Sequence, residues 1–357
     1  MRAQEVLTIR AGGHALRRIR EAGLEPGEVA LVPGAAGGAK ALGIAGLDRA
    51  IFGEWLPSAP RVRHLVGASI GAWRFAAACL PDAARSLAEF ARLYTAQSYP
   101  RRAGPAYVTG SAREMLLELF GGRESEILSS AAYRLHVLAV RGRGPLARDS
   151  RWSTPFGFGL AALANAAGRR HLARFVERAV FHDARERPPF GEAGFDAFHT
   201  HYVPLSATNF HAALLASASI PLVLEGVPDI AEAPEGVYWD GGIADYHLHL
   251  PYHRSEGLVL YPHFTDRIVP GWLDKQLPWR QARGAWLANV VLVAPSREYL
   301  ARLPRGKLPS RQDFATYAGD DAGRMAYWRA AIAESDRLGE AFLDLARDPG
   351  RFPILPL

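Results

Sequence analysis

A serine with glycine two residues before and two after it, Gly67-Ala68-Ser69-Ile70-Gly71, is the first group in this chain placed for covalent chemistry. The surrounding "RVRHLVGASIGAWRFAAACLP" reads as a strand, a sharp turn and a helix of small and apolar residues stopping before Pro81. In that context a G-x-S-x-G turn holds the serine hydroxyl clear of the sheet as a nucleophile for acyl transfer. In a chain with 35 glycines the pattern also arises by chance, so the serine needs a base and donors for a developing oxyanion. A carboxylate base is offered by Asp240 in "GVYWDGGIADYH", where a short aromatic strand ends and Gly241-Gly242 turn the chain at once. Donors are offered by "VPGAAGGAKALG", residues 32–43, between the strand "EVALV" and the helical spacing of "AKALGIAGLDRAIF". A glycine-rich turn at a helix start gathers unpaired N–H groups, a site for a phosphate or for an oxyanion.

Other readings of the same residues stand beside this one. D-G-G alone is a common turn. As a phosphate loop, G-x-x-x-x-G-K-[ST] counted from Gly34 keeps Lys40 but has Ala39 for the second glycine and Ala41 for the magnesium-binding hydroxyl. Lys40 reads equally as an exposed lysine on a helix's first turn. In "DYHLHLPYH" Asp245, His247 and His249 alternate and share a face if the segment is a strand, a pattern able to bind metal; with 12 histidines in the chain, surface polarity is the plainer reading. A Ser69–Asp240–His263 triad of the α/β-hydrolase type is a further arrangement, although that fold builds several strands before its nucleophile and only about two candidates precede Ser69. A non-catalytic binding protein on the same frame is the last.

The frame itself is that of an α/β protein. "HALRRIREAGL" has helical periodicity and stops at Gly23 with Pro26 beyond, and "LHVLAV", "YVPLSAT", "GLVLYP" and "NVVLVA" read as core strands, with a helix across 322–347. Residues 150–200 look like a helical insertion, where Leu172, Phe175, Val176 and Ala179 would share one helical face and Arg170, Arg174 and Arg178 the other. Such a helix packs on the core, or acts as a lid over an acyl groove with arginines toward lipid phosphates. The expectation is one domain over 1–357, with 257–357 its C-terminal extension.

Composition narrows the class. At 49% apolar and 22% charged residues the chain is an ordinary globular protein. The single cysteine, Cys79, excludes an internal disulfide and a cysteine-based zinc site, and reads as a small core residue in a reducing compartment. Charges stand where a signal peptide would have its apolar run, and no stretch stays apolar long enough to cross a bilayer, so the expectation is a soluble, cytoplasmic protein. The net charge of +6 comes mainly from arginines spread along the chain, without any nucleic-acid-binding motif. It supports weak peripheral attraction to anionic surfaces such as lipid headgroups, and no nucleic-acid partner.

Taken jointly, these features resemble the patatin-like phospholipase family. Four matches occur in that family's order: Gly37-Gly38-Ala39-Lys40, Gly67 to Gly71, "ASASIP" at 216–221, and Asp240-Gly241-Gly242, with Gly46-Leu47 as the Gly-apolar pair of the loop's helix. Ala36 and Ala41 replace two glycines of the family's loop; alanine keeps its N–H, but not glycine's access to positive φ. The resemblance implies a three-layer α/β/α fold with a largely parallel sheet. It implies hydrolysis of lipid esters such as phospholipids by a Ser69–Asp240 dyad through an acyl-enzyme, with no metal or organic cofactor. Gly37, Gly38 and Ala39 would donate to the oxyanion, and Lys40 would add charge or anchor the loop. Burial and neighbours such as Tyr238 and Trp239 would raise the Asp240 pKa enough for a base.

Overall fold

The structure, a computed structural model, describes residues 2–190, 194–280, 282 and 284–357. Among them eleven strands join in one sheet: β1 (Leu7–Ala11), β2 (Val29–Gly34), β3 (Arg63–Ala68), β4 (Tyr133–Gly142), β5 (Val176–Asp183), β6 (Thr200–Leu205), β7 (Val227–Pro228), β8 (Val237–Asp240), β9 (Leu258–Pro262), β10 (Val290–Pro295) and β11 (Ile354–Pro356). The order is β11-β1-β10-β9-β2-β3-β4-β5-β6, with β7 and β8 off this path. From β10 to β4 every neighbouring pair is parallel. The apolar runs of β2, β9 and β10 lack alternation because each of these strands is buried along its whole length, as a parallel sheet covered on both faces requires. Helices flank the mostly parallel sheet, the three-layer α/β/α arrangement expected.

Three details depart from the sequence reading. Among the described residues of 150–200, only Ser153–Ala167 and Arg169–Leu172 are helical; Val176–Asp183 is β5, a strand between β4 and β6. Leu172, Phe175, Val176 and Ala179 therefore share no helical face. Arg178, expected toward solvent, is fully buried and donates to both Asp245 and Asp196. The helix across 322–347 is two helices, Asp321–Glu334 and Asp336–Arg347, interrupted at Ser335, whose hydroxyl accepts the Gly46 N–H at 2.8 Å. Nor is "DYHLHL" a strand: Gly242–Asp245 is one helical turn.

Candidate active site

Two strands run head-on along one edge of β4 and bring the site together. β3 is parallel to β4 and its last residue, Ala68, lies opposite Leu138. β8 is antiparallel to β4 and its last residue, Asp240, lies opposite Ala139, the next residue along. The residue after β3 is Ser69, and its Oγ–H donates to Asp240 Oδ2 at 2.8 Å.

The serine is held in a strained turn. It has φ 56° and ψ −129°, a conformation an L-residue adopts only where its surroundings dictate it. A side chain at Gly71 would put a Cβ 1.9 Å from the Gly34 carbonyl oxygen, so only glycine lets the helix Ile70–Ala78 start against the end of β2. That contact sets the glycine loop after Gly34 beside the serine. The bidentate buried pair Arg74–Asp48, at 2.7 and 2.6 Å, ties this helix to Ala45–Ala50 beyond the loop. The "ASASIP" segment clamps both partners: Ser217 Oγ accepts the Ser69 N–H at 2.8 Å and donates to the Leu138 carbonyl at 2.6 Å. The Ser219 carbonyl accepts from Asp240 N–H at 2.9 Å, and the Ser217 carbonyl from Gly241 N–H at 3.1 Å.

Asp240 is buried, and loss of hydration lifts its pKa from 3.8 to about 6. The Gly242 N–H, donating to Oδ1 at 2.7 Å, and the Ser69 hydroxyl oppose the rise without cancelling it. The carboxylate is thus ionised at neutral pH yet closer than an ordinary aspartate to the pH at which it takes up a proton, the condition for a general base.

The glycine loop supplies free donors. Ala36 N–H is used by the Tyr246 carbonyl at 2.9 Å, whereas the N–H groups of Gly37 and Gly38 meet no acceptor among the described residues. Gly38 has φ +56°, and neither Ala36 nor Ala41 has a positive φ, so both substitutions are conformationally neutral. Ala39 does not line the cavity; it is wholly buried beside Leu42, Tyr327 and Trp328. Lys40 is not an exposed lysine: it lines the cavity, half-buried, with Nζ 4.9 Å from the centre of the Phe264 ring, and burial lowers its pKa.

Two cavities meet at Ser69. The smaller, about 270 Å³, is walled by Gly37, Gly38, Asp240, Gly242 and the cations Lys40, Lys275 and Arg311. The larger, about 680 Å³, also reaches Ser69 and is mainly apolar, with Trp73, Val108, Val223, Leu224 and Phe314 in its wall. Sequence reading missed Lys275 and Arg311, because neither lies in a motif. It also quoted Ser217 without seeing its hydrogen-bonding role.

No histidine lines either cavity among the described residues. His263 is fully buried, accepts from Thr265 N–H at 3.0 Å and is drawn by burial to a pKa of about 3. His247 packs edge-to-face on it at 4.3 Å and accepts from Val269 N–H, and His249 lies over Trp286. The histidine triad is therefore not assembled, and Asp245 is occupied by Arg178 at 2.7 and 2.9 Å rather than aligned with histidines.

Comparison with individual curated proteins gives no match. The profile described as patatin-like phospholipase matches residues 35–248, a stretch that starts in the glycine loop, contains Ser69 and Asp240, and ends before Lys275 and Arg311. Since that match spans more than half of the 357 residues, and the mostly parallel sheet flanked by helices is consistent with it, the chain belongs to the patatin-like phospholipase family.

Proposed function

We infer that the chain, as a member of this family, is a lipid acyl hydrolase in the general sense. We propose that it cleaves carboxylic esters of lipids, in the manner of a phospholipase A or esterase, through a Ser69–Asp240 dyad. The observation that carries this reading is the 2.8 Å hydrogen bond between the two side chains at the junction of an apolar and a polar cavity. Asp240 takes the hydroxyl proton as Ser69 Oγ attacks the ester carbonyl carbon. The carbonyl oxygen becomes an oxyanion facing the free N–H groups of Gly37 and Gly38. Collapse breaks the ester C–O bond, the leaving alcohol takes the proton from Asp240, and the acyl group stays on Ser69. Water then gives a proton to the carboxylate as it attacks the acyl carbon, and the proton returns to Ser69 Oγ as the fatty acid leaves. The triad reading is set aside because the base touching Ser69 is Asp240 itself. We also take 1–357 as one domain, supported by β9, β10 and β11, which complete the sheet begun by the matched residues.

Wild-type protein is expected to label with a serine-reactive fluorophosphonate and to hydrolyse a short-chain p-nitrophenyl ester. Ser69→Ala should do neither while keeping its circular dichroism spectrum. Equal labelling of the two proteins would remove Ser69 from the mechanism.

Peripheral contact with an anionic lipid surface is part of the same proposal. No helix of the described residues is long and apolar enough to cross a membrane. The helix Ser153–Ala167 is instead apolar on two faces: Phe158 and Ala161 are buried, while Trp152, Phe156, Leu160 and Leu163, four or three residues apart, are exposed. Arg148 and Arg151 flank the exposed row, and Arg151 lies 5.5 Å from the centre of the Trp152 ring. Gly226 N–H donates to Asp149, which links this region to the segment carrying exposed Leu222 and Val223 at the larger cavity. Changing Phe156 and Leu163 together to Ser should weaken co-sedimentation with phosphatidylglycerol vesicles by about tenfold or more, at about 1.5–3 kcal/mol per buried side chain. Unchanged sedimentation would exclude this face.

A further inference from the structure

The smaller cavity carries more positive charge than ester hydrolysis requires. Lys40, Lys275 and Arg311 come from three separate segments and converge on it. Among the described residues none of the three has an ion-pair partner. Elsewhere the fully buried guanidinium groups are held within the protein, those of Arg74, Arg178 and Arg324 by carboxylates and that of Arg63 by the carbonyls of Arg61, Pro26 and Ala59. The Lys275 ammonium instead sits 4.0 Å from the centre of the Tyr246 ring and 5.6 Å from that of Trp272, and the Arg311 stem lies along Gly38. Burial and the like charges of Lys40 and Arg311 lower the Lys275 pKa to about 7. The one acid in the wall, Asp240, is already hydrogen-bonded to Ser69 and Gly242. With Asp240 as the single acid facing three cations, the space keeps an excess of positive charge, which favours an anion from outside.

The two cavities give that anion a place in the substrate. With an ester carbonyl at Ser69, an acyl chain suits the larger, mainly apolar cavity, which leaves the alcohol part in the cationic one. We propose that Lys275 and Arg311, with Lys40, form an anion subsite that selects esters whose alcohol part carries a phosphomonoester. A phosphomonoester has about −1.5 to −2 charge at pH 7 and three acceptor oxygens, which matches three converging cations better than a single carboxylate does. The cavity of about 270 Å³ suits a small alcohol such as glycerol phosphate. Lys275 and Arg311 lie outside the family match at 35–248, so the selectivity would belong to this chain's own C-terminal segments. Which end of the substrate meets the cations rests on the serine hydrolase reading above; the site itself does not.

The test separates the two. Calorimetry on Ser69→Ala protein should detect sn-glycerol 3-phosphate but not glycerol, with affinity falling as salt is added. Lys275→Met and Arg311→Met, each with an unchanged melting temperature, should weaken that binding by about tenfold or more, and Lys275→Arg should restore most of it. With Ser69 present, the ratio of kcat/KM for a 1-acyl-glycerol 3-phosphate to that for the matching monoacylglycerol should exceed about ten, and should collapse toward one in either Met variant. Glycerol 3-phosphate binding no tighter than glycerol, or binding unchanged in the Lys275→Met/Arg311→Met double variant, overturns the subsite. Equal affinity for inorganic phosphate together with a ratio near one overturns its assignment to the substrate and leaves a free-phosphate site. Phosphate-ester binding without any hydrolysis would count against the proposed reaction while the subsite stands; hydrolysis with a ratio near one and no such binding does the reverse.

Discussion

Asp240→Asn is expected to be nearly inactive and, at neutral pH, more stable than the wild type. Activity should fall by about 10³-fold or more, because an amide at this position can still hydrogen-bond Ser69 but cannot take its proton. The stability gain follows from the pKa. Burial lifts the carboxyl from 3.8 to about 6, so the folded protein holds the proton more tightly than the unfolded chain does. For an acid raised in this way the folded state is penalised when the group is ionised. The penalty is absent below about 3.8, grows as pH rises from there to about 6, and is constant above; at 1.36 kcal/mol per pKa unit it reaches about 3 kcal/mol. Asparagine removes it, so urea denaturation should show the variant ahead at pH 8 and level with the wild type near pH 4. The same ionisation sets the acid limb of wild-type kcat/KM near pH 6, below which the base is protonated. A wild-type limb near 4, or a variant less stable than the wild type at pH 8, would contradict the buried-base reading.

Gly38→Val should cut kcat by about 10²-fold or more with the fold intact. Gly38 has φ +56°, where a β-branched residue is strained by about 1–2 kcal/mol, and its new Cβ would stand 3.1 Å from the Arg311 Cγ. The backbone relieves that strain by turning the N–H groups of residues 37 and 38 away from the oxyanion position. Because the Ser69–Asp240 hydrogen bond does not pass through this loop, labelling by a fluorophosphonate should slow rather than vanish. Steady-state kinetics checks the split: the loss should fall on kcat more than on KM. A kcat within about threefold of wild type would exclude these donors from the mechanism.

How much of this was legible in the sequence depended on how local each signal was. The strand–turn–helix around Ser69, the strand end at Asp240 and the loop at Gly37-Gly38 were readable because each is fixed by glycines within a few residues of the reacting group. β5 was not. Its arginine looked like a solvated charge, since the carboxylate that buries it, Asp245, is 67 residues away. The alternation in "DYHLHL" suggested a strand, but the Asp245 N–H bonds back to the Gly241 carbonyl and closes a helical turn. Lys275 and Arg311 carried no periodicity or motif; they reach the cavity only because the sheet order brings the segments that follow β9 and β10 past the glycine loop. The second apolar face of Ser153–Ala167 was written in the spacing of Trp152, Phe156 and Leu163, and went unread because a helix further along looked more amphipathic.

The meeting of β3 and β8 on adjacent residues of β4 also bears on how this chain tolerates changes in length. The gap between hydroxyl and carboxylate is fixed by one peptide step, Leu138 to Ala139, although the two side chains are 171 residues apart along the chain. Inserting one residue at that step would part them by about 3.3 Å and turn one of the facing strands over. Lengthening the loops within 143–236, apart from the 216–221 segment whose Ser217 and Ser219 clamp the pair, leaves the step untouched, and each doubling of a flexible loop costs only about 0.6 kcal/mol. Loop grafts or shuffled segments placed there can reshape the walls of the larger cavity, where Val223 and Leu224 already stand, without disturbing the hydrogen bond at its floor. Libraries aimed at new acyl specificities are best built on those loops, with 137–140 and 216–221 kept constant.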